Sequence, residues 1–270
     1  MSDSLHVPPP SERAFKRKLS AGFTLLELSI VLVIIGLLIG GIFVGQSLIK
    51  NAQLNAVIQE SGRYQAATQA FKEQFRALPG DITNATVIWG SAGGTGSDLA
   101  CGAIVSTTTA TCNGDGDGVI TVNGSTVFEE LRYWQHLANA KMIEGSYAGT
   151  PQGTNSIPGY NIPTSKYTSA GWGVQTAPAG GAYYFTTDYG GGHILSIGIG
   201  GGYQVDQPAL VPKDAWSIDK KIDDGKPGLG NVIAFSWPAC TNAASNADVG
   251  TTYKLTDTNK DCGLLFLANF

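Results

Sequence analysis

The first hydrophobic feature of the chain is an unbroken apolar run close to its N-terminus. No residue from Leu28 to Ile49 is charged. At about 1.5 Å per residue, a helix of this length measures roughly 33 Å, which is enough to cross the hydrocarbon core of a bilayer. The pattern therefore predicts a membrane-spanning helix, and a single carboxylate, Glu27, stands directly before its uncharged part.

The hydrophobic pattern changes after Lys50. Apolar residues then recur every three or four positions, with polar and charged residues between them: Leu54, Val57, Ile58, Ala67, Phe71, Phe75 and Leu78. This spacing is typical of an amphipathic helix. The two patterns together predict one helix from about residue 24 to residue 77, roughly 80 Å long. It is expected to end at Pro79 and Gly80, which disfavour helix.

The rest of the chain has shorter patterns. Residues 91–125 are rich in Gly, Ser, Thr and Asp, which predicts a long loop. Residues 126–141 predict a short helix with a capping box formed by Thr126 and Glu129. Four strands are predicted between Gly-rich turns: 181–188, 193–200, 231–237 and 251–256. The fold class is therefore expected to be α+β, with the long helix packed on an antiparallel sheet.

Charge is distributed unevenly along the 270 residues. The formal net charge is −4, yet four cations lie directly before the apolar run: Arg13, Lys16, Arg17 and Lys18. By the positive-inside rule, this predicts that the N-terminus stays in the cytoplasm and that the C-terminal bulk is exported. No basic patch that could follow a phosphate backbone comes after the run, so nucleic acid is not expected as a partner.

All four cysteines lie in the part expected to be exported: Cys101, Cys112, Cys240 and Cys262. An even number of cysteines in an oxidising compartment is typical of disulfide bonds. Three pairings are possible. Pairing of sequence neighbours, Cys101 with Cys112 and Cys240 with Cys262, closes the shortest loops, whereas four buried free thiols are the alternative.

An acidic stretch inside the predicted loop, CNGDGDGVITVNG, resembles the start of a calcium-binding loop. Three oxygen ligands alternate there as they do in an EF-hand: Asn113, Asp115 and Asp117. The position of the usual bidentate Glu is Gly124, although Glu129 or Glu130 could contribute from the next helix. Oxygen ligands favour a hard cation over zinc. No cofactor is required, calcium is a possible one, and a solvated acidic turn is the alternative.

The residues around the start of the apolar run resemble the N-terminal signature of the type IV pilin superfamily. That signature is a short basic leader, a Gly and then Phe-Thr-Leu-Leu-Glu, and the chain reads GFTLLEL from Gly22 to Leu28. The resemblance covers residues 13–80. It implies that a prepilin peptidase cuts between Gly22 and Phe23 and methylates the new amine. No signal-peptide cleavage pattern follows the run, so the helix is expected to remain in the mature chain.

The lone carboxylate is expected to need a partner. A carboxylate at bilayer depth costs a few kcal/mol on insertion scales. In the pilin superfamily the corresponding Glu meets the N-terminal amine of a neighbouring subunit, so the resemblance implies that Glu27 is an assembly residue. The alternative is a carboxylate that merely snorkels to the membrane edge.

These observations predict a structural filament subunit rather than an enzyme, since none of the three histidines lies in a recognisable catalytic motif. Four segments are expected: a leader at 1–22, a membrane and filament-core half of the helix at 23–50, an amphipathic half at 51–78, and an exported globular domain at 79–270.

The resemblance also implies partners and places. The partners are prepilin peptidase, other pilin or pseudopilin subunits and the inner-membrane assembly platform. The chain is expected in the inner membrane before assembly, and then in an extracellular pilus or a periplasmic pseudopilus. The size of the chain favours a minor subunit. A minor pseudopilin of a type II secretion system is one alternative, and a monomeric membrane-anchored binding or adhesion domain is an alternative of another class.

Overall fold

The computed structural model describes residues 22, 24–93, 109–122, 128–176, 184–186, 192–202, 204–235, 237–268 and 270. The chain divides into two compact units, Met1–Leu48 and Ile49–Phe270. Helix α1 runs from Leu25 to Phe75 and contributes to both units. The predicted long helix is therefore confirmed, and by length and composition it can cross a membrane.

The second half of α1 packs against the globular unit through one face. Buried apolar residues recur along it at three- or four-residue spacing, including Leu54, Val57, Tyr64 and Phe71. Tyr64 makes edge-on ring contacts with Trp134, at 5.0 Å between centroids, and with Trp172, at 5.6 Å. The amphipathic pattern thus places α1 in the main core.

The chain turns sharply after α1. Arg76 has a positive φ of 59°, and Gly80 has a φ of 88°. A Cβ on Gly80 would also collide with the backbone carbonyl of Glu129. Glycine is therefore required at this turn, both by the backbone conformation and by the close approach of the helix that begins at Glu129.

Four further helices lie in the described part of the globular unit: α2 (Ala85–Trp89), α3 (Glu129–Asn139), α4 (Pro212–Ile222) and α5 (Trp237–Cys240). Five strands form one sheet: β1 (Gly171–Thr176), β2 (His193–Gly201), β3 (Gln204–Gln207), β4 (Val232–Phe235) and β5 (Gly263–Ala268). The strand order is β1-β2-β5-β4, with β3 paired to β2. Every pairing is antiparallel, so the α+β fold class is confirmed.

The sheet is buried on both faces. Side chains alternate across β5, so that Leu264 and Phe266 join the main core with α1 and α3, whereas Leu265 packs on the other face with Ile194 and Phe235. This arrangement explains why β5 reads as a continuous apolar run, GLLFLA, instead of an alternating one.

Polar contacts also attach the second half of α1 to the rest of the globular unit. The buried carboxylate of Glu60 accepts hydrogen bonds from the Ser165 hydroxyl at 2.6 Å, the Lys166 backbone N–H at 2.9 Å and the Trp172 indole N–H at 2.8 Å. Ten residues earlier, Lys50 forms an ion pair with Asp214 of α4. Because the donors of Glu60 come from β1 itself and from the segment that leads into it, this carboxylate links helix and sheet directly.

Two of the four strand predictions match the structure, since 193–200 covers all but the last residue of β2 and 231–237 contains β4. The prediction of a strand at 251–256 was wrong. That segment is irregular and ends in a turn, and its backbone pairs only through an isolated bridge between Thr241 and Tyr253. At 181–188, residues 184–186 are not a strand and the others lie outside the described residues.

The predicted helix at 126–141 exists but begins later. The N-cap residue is Phe128, so the proposed capping box was wrong, and Thr126 itself lies outside the described residues. The Glu129 carboxylate instead accepts hydrogen bonds from the backbone N–H groups of Thr121, at 2.9 Å, and Asp115, at 3.4 Å.

Candidate processing and assembly site, and the acidic loop

The first residues of α1 form a capping box. Leu25 is the first helical residue, which places Thr24 at the N-cap and Glu27 three residues later. The Glu27 Oε2 atom accepts hydrogen bonds from the Thr24 backbone N–H at 2.8 Å and from the Thr24 hydroxyl at 2.9 Å. In return, the Glu27 N–H donates to Thr24 Oγ1 at 3.2 Å. This reciprocal pattern satisfies two backbone donors at the helix start.

The capping box gives Glu27 a role within its own chain. The carboxylate lies at the N-terminal end of the helix dipole, where negative charge is stabilised. Sequence reasoning missed this role, although the spacing of Thr24 and Glu27 is that of a T-x-x-E box. Phe23 lies outside the described residues, so the cleavage site between Gly22 and Phe23 remains a prediction.

The comparisons with known proteins concern this same end of the chain. A family model described as the prokaryotic N-terminal methylation motif matches residues 17–43. No curated protein and no solved structure was found to match the chain. The motif, followed by the long apolar helix, fits a prepilin of the type IV pilin or pseudopilin kind, which is a substrate of prepilin peptidase. The motif favours a structural subunit.

A cluster of three carboxylates lies in the globular unit. The ligand oxygens of Asp81, Asp115 and Asp117 all lie within 4.8 Å of one another. Asp81 is buried, and its two oxygens accept the backbone N–H groups of Gly116 at 2.6 Å and Gly118 at 3.0 Å. The fold therefore adds Asp81, which the sequence analysis did not include, to two of the predicted ligands.

The third predicted ligand has another partner. The side-chain oxygen of Asn113 accepts a hydrogen bond from the Thr86 backbone N–H at 2.9 Å, at the start of α2. Glu129 is close to the loop, but its carboxylate binds the backbone N–H groups of Asp115 and Thr121. The participation of Asn113 in a metal site remains a prediction.

The electrostatics of the cluster suit a cation. Burial, together with the smaller effect of the nearby Asp117 and Asp115 carboxylates, raises the pKa of Asp81 to about 6, although the hydrogen bonds from Gly118 and Gly116 act in the opposite direction. A divalent ion would offset this mutual repulsion. Carboxylate oxygens alone are the donor set of a hard cation such as calcium, so the residues present fit that ion.

His136 fixes the segments next to this cluster. Its Nδ1 accepts the Gly80 N–H at 2.9 Å, its Nε2 lies 2.9 Å from the Thr111 hydroxyl, and its ring stacks on Trp89. Complete burial, with the nearby Arg132 charge, lowers the pKa of His136 to about 3. The imidazole is therefore neutral at ordinary pH, and its contacts are those of a structural residue.

The structure contains a disulfide between Cys240 and Cys262. It joins the end of α5 to the residue before β5, where Cys262 also exchanges backbone hydrogen bonds with Leu210. Cys112 is buried, but Cys101 lies outside the described residues, so the pairing of these two cysteines stays a prediction.

Proposed function

We propose that this chain is a structural subunit of a type IV pilus or pilus-like filament, cut after Gly22 by prepilin peptidase and assembled through α1. The observation that supports the proposal is the N-terminal methylation motif at residues 17–43, placed at the start of a helix with an exposed apolar half. A membrane helix without such a motif would equally suit a monomeric anchored adhesion domain, so the motif is the observation that favours a filament subunit.

The geometry at the helix start suggests how assembly proceeds. Cleavage would place a positive amine on Phe23, next to Thr24 and within one and a half turns of Glu27. A carboxylate and an amine in a low-dielectric environment attract strongly. Glu27 would leave the capping box of its own chain and pair with the amine of the neighbouring subunit, which fixes the stagger between the two helices.

The partners of this process are prepilin peptidase, other pilin or pseudopilin subunits and an inner-membrane assembly platform. The four cations before the apolar run support an orientation with the N-terminus in the cytoplasm. The final location would be an extracellular pilus. A minor pseudopilin of a type II secretion system, with a periplasmic location, is the alternative within the same class.

Mass spectrometry on filaments sheared from the native cell surface tests this proposal. We expect a peptide that begins at N-methylated Phe23. If that peptide is found only in the envelope fraction, the pseudopilin alternative is correct. A chain with its leader intact in every fraction would contradict processing altogether, and a cut chain that never co-purifies with other subunits would favour the anchored adhesion domain.

We also propose that the carboxylate cluster binds calcium. Saturating calcium should stabilise the globular unit by about 3 kcal/mol at 100-fold excess over the dissociation constant, which raises the melting temperature by roughly 5–10 °C. The measurement is thermal unfolding of the full chain in detergent, with calcium or with chelator. D115N/D117N should abolish the difference, whereas D261N, outside the cluster, should retain it. Identical melts in calcium and chelator would rule the site out.

A further inference from the structure

The outer face of α4 is basic. Lys213, Lys220 and Lys221 are exposed, and Trp216 between them is half-buried. The opposite face is buried and includes Ala215 and Ile218. Positions three, four and seven apart share one side of a helix, so Lys213, Trp216 and Lys220 form a common surface. The Lys220 ammonium lies 4.7 Å from the centre of the Trp216 ring.

Helix α4 contacts the first residues of α1 that follow the apolar run. Lys50, the first residue after the run, pairs with Asp214 near the start of α4, and Lys221 near its end donates to the Asn55 side-chain oxygen at 2.8 Å. The stretch of α1 from Lys50 to Asn55 spans only about 8 Å. A lipid headgroup layer is about 5–8 Å thick on each side of the hydrocarbon core. The points where α4 touches α1 are thus within headgroup distance of the apolar run.

The acidic residues of this region do not neutralise the face. Asp214 is buried and paired with Lys50, and Asp219 is buried and accepts a hydrogen bond from the Tyr253 hydroxyl at 2.7 Å. Asp223 binds the backbone N–H groups of Asn231 and Val232. Asp224 is exposed, but the exposed Lys226 follows it closely. A locally positive surface results on a chain whose net charge is −4.

We propose that the outer face of α4 docks on the anionic phospholipid headgroups of the leaflet from which the globular unit emerges. Lys and Trp side chains combine an apolar body with a polar end, and they are typical of membrane interfaces. The inference rests on the membrane-inserted stage of the proposed function. It adds a lipid contact that holds the globular unit at the bilayer and must break when the subunit enters a filament.

Fluorescence quenching tests the docking with the full chain in vesicles. The vesicles contain phosphatidylcholine alone or with about one third phosphatidylglycerol, and a fraction of the lipids bears a nitroxide on the headgroup. The difference between the wild type and W216F isolates the signal of Trp216. We expect phosphatidylglycerol to increase the quenching of Trp216 by about twofold or more.

A variant without two of the lysines tests whether their charge causes the docking. K213Q/K220Q removes two exposed cations and should lower the ratio of docked to undocked α4 by about 30-fold, abolishing the effect of phosphatidylglycerol. K141Q/K260Q removes two exposed cations elsewhere and should leave that effect intact. If W216F misfolds, the lysine variants still decide, because total tryptophan quenching must fall in the first pair and not in the second.

Several results would contradict the docking of α4 on lipid headgroups. Quenching that is the same in both lipid mixtures, or that K213Q/K220Q leaves unchanged, would overturn the docking. Quenching that follows the ratio of protein to lipid would assign the face to contacts between copies, which also overturns it. Flotation of the same samples with the vesicles distinguishes a failure of the docking from a failure of membrane insertion. A chain that floats without lipid-dependent quenching refutes only the docking. A chain that does not float refutes membrane insertion as well.

Discussion

Glu27→Ala is expected to remove nearly all of this chain from filaments while leaving cleavage after Gly22 intact. Without the carboxylate, the N-terminal amine of the neighbouring subunit would have no partner in an apolar helix bundle, at a cost of a few kcal/mol. Since 1.4 kcal/mol corresponds to a factor of ten, incorporation should fall by about 30-fold or more. The measurement is the amount of variant in sheared filaments, with the N-terminus of the membrane pool read by mass spectrometry.

The capping box supplies a matched control for this experiment. Gln is an accepted residue at the third position of such a box, so E27Q keeps the hydrogen bonds with Thr24 but removes the charge. We expect E27Q to fail in assembly as E27A does. If E27Q enters filaments normally, then Glu27 acts by capping its own helix, and the ion pair between subunits is contradicted.

The long helix could be predicted from sequence because one local pattern decides it. A charge-free run, followed by apolar residues every three or four positions, is typical of a helix and not of a strand. The observed bounds, Leu25–Phe75, lie close to the expected ones. The strand β5 shows the opposite case. Its two faces are both buried, so Leu264 to Leu267 alternate in direction without alternating in polarity, and no period-two signal exists.

Helix α4 was overlooked although its sequence contains helix signals. Pro212 stands at its first position, and Ala215, Ile218 and Ile222 recur at helical spacing.

The incorrect prediction of a strand at 251–256 shows how tertiary contacts override propensity. Tyr253 is β-prone, yet its hydroxyl binds Asp219 and its backbone makes only an isolated bridge to Thr241, in the loop that the Cys240–Cys262 disulfide closes.

The candidate sites also differ in how far they could be predicted from local sequence. The box of Thr24 and Glu27 is local and was readable from four residues. The carboxylate cluster is not, because Asp81 comes from the turn after α1 and binds Gly116, which is 35 positions away. Sequence spacing predicted Asp115 and Asp117 as candidate ligands, but only the fold brings in a third carboxylate from a separate segment.

Glu60→Ala should strongly destabilise the packing of the aqueous half of α1. It leaves the buried Ser165 hydroxyl and Trp172 indole N–H, and also the partly buried Lys166 N–H, without this acceptor. Each unpaired buried donor costs about 1–3 kcal/mol, so a total of about 4 kcal/mol is expected. For a unit of this size, that corresponds to a fall of roughly 8–16 °C in melting temperature.

Near-ultraviolet circular dichroism of the full chain in detergent measures this shift, because Trp172 and the aromatic contacts of Tyr64 report on the packing of helix against sheet. Gln59→Ala, on the exposed neighbour of Glu60, should change the melting temperature by less than about 2 °C. Glu60→Gln should be intermediate, since an amide can accept from some of the three donors but presents its own N–H groups to the rest. Equal melting temperatures for E60A and Q59A would show that the contacts of Glu60 contribute nothing to holding α1 on the sheet.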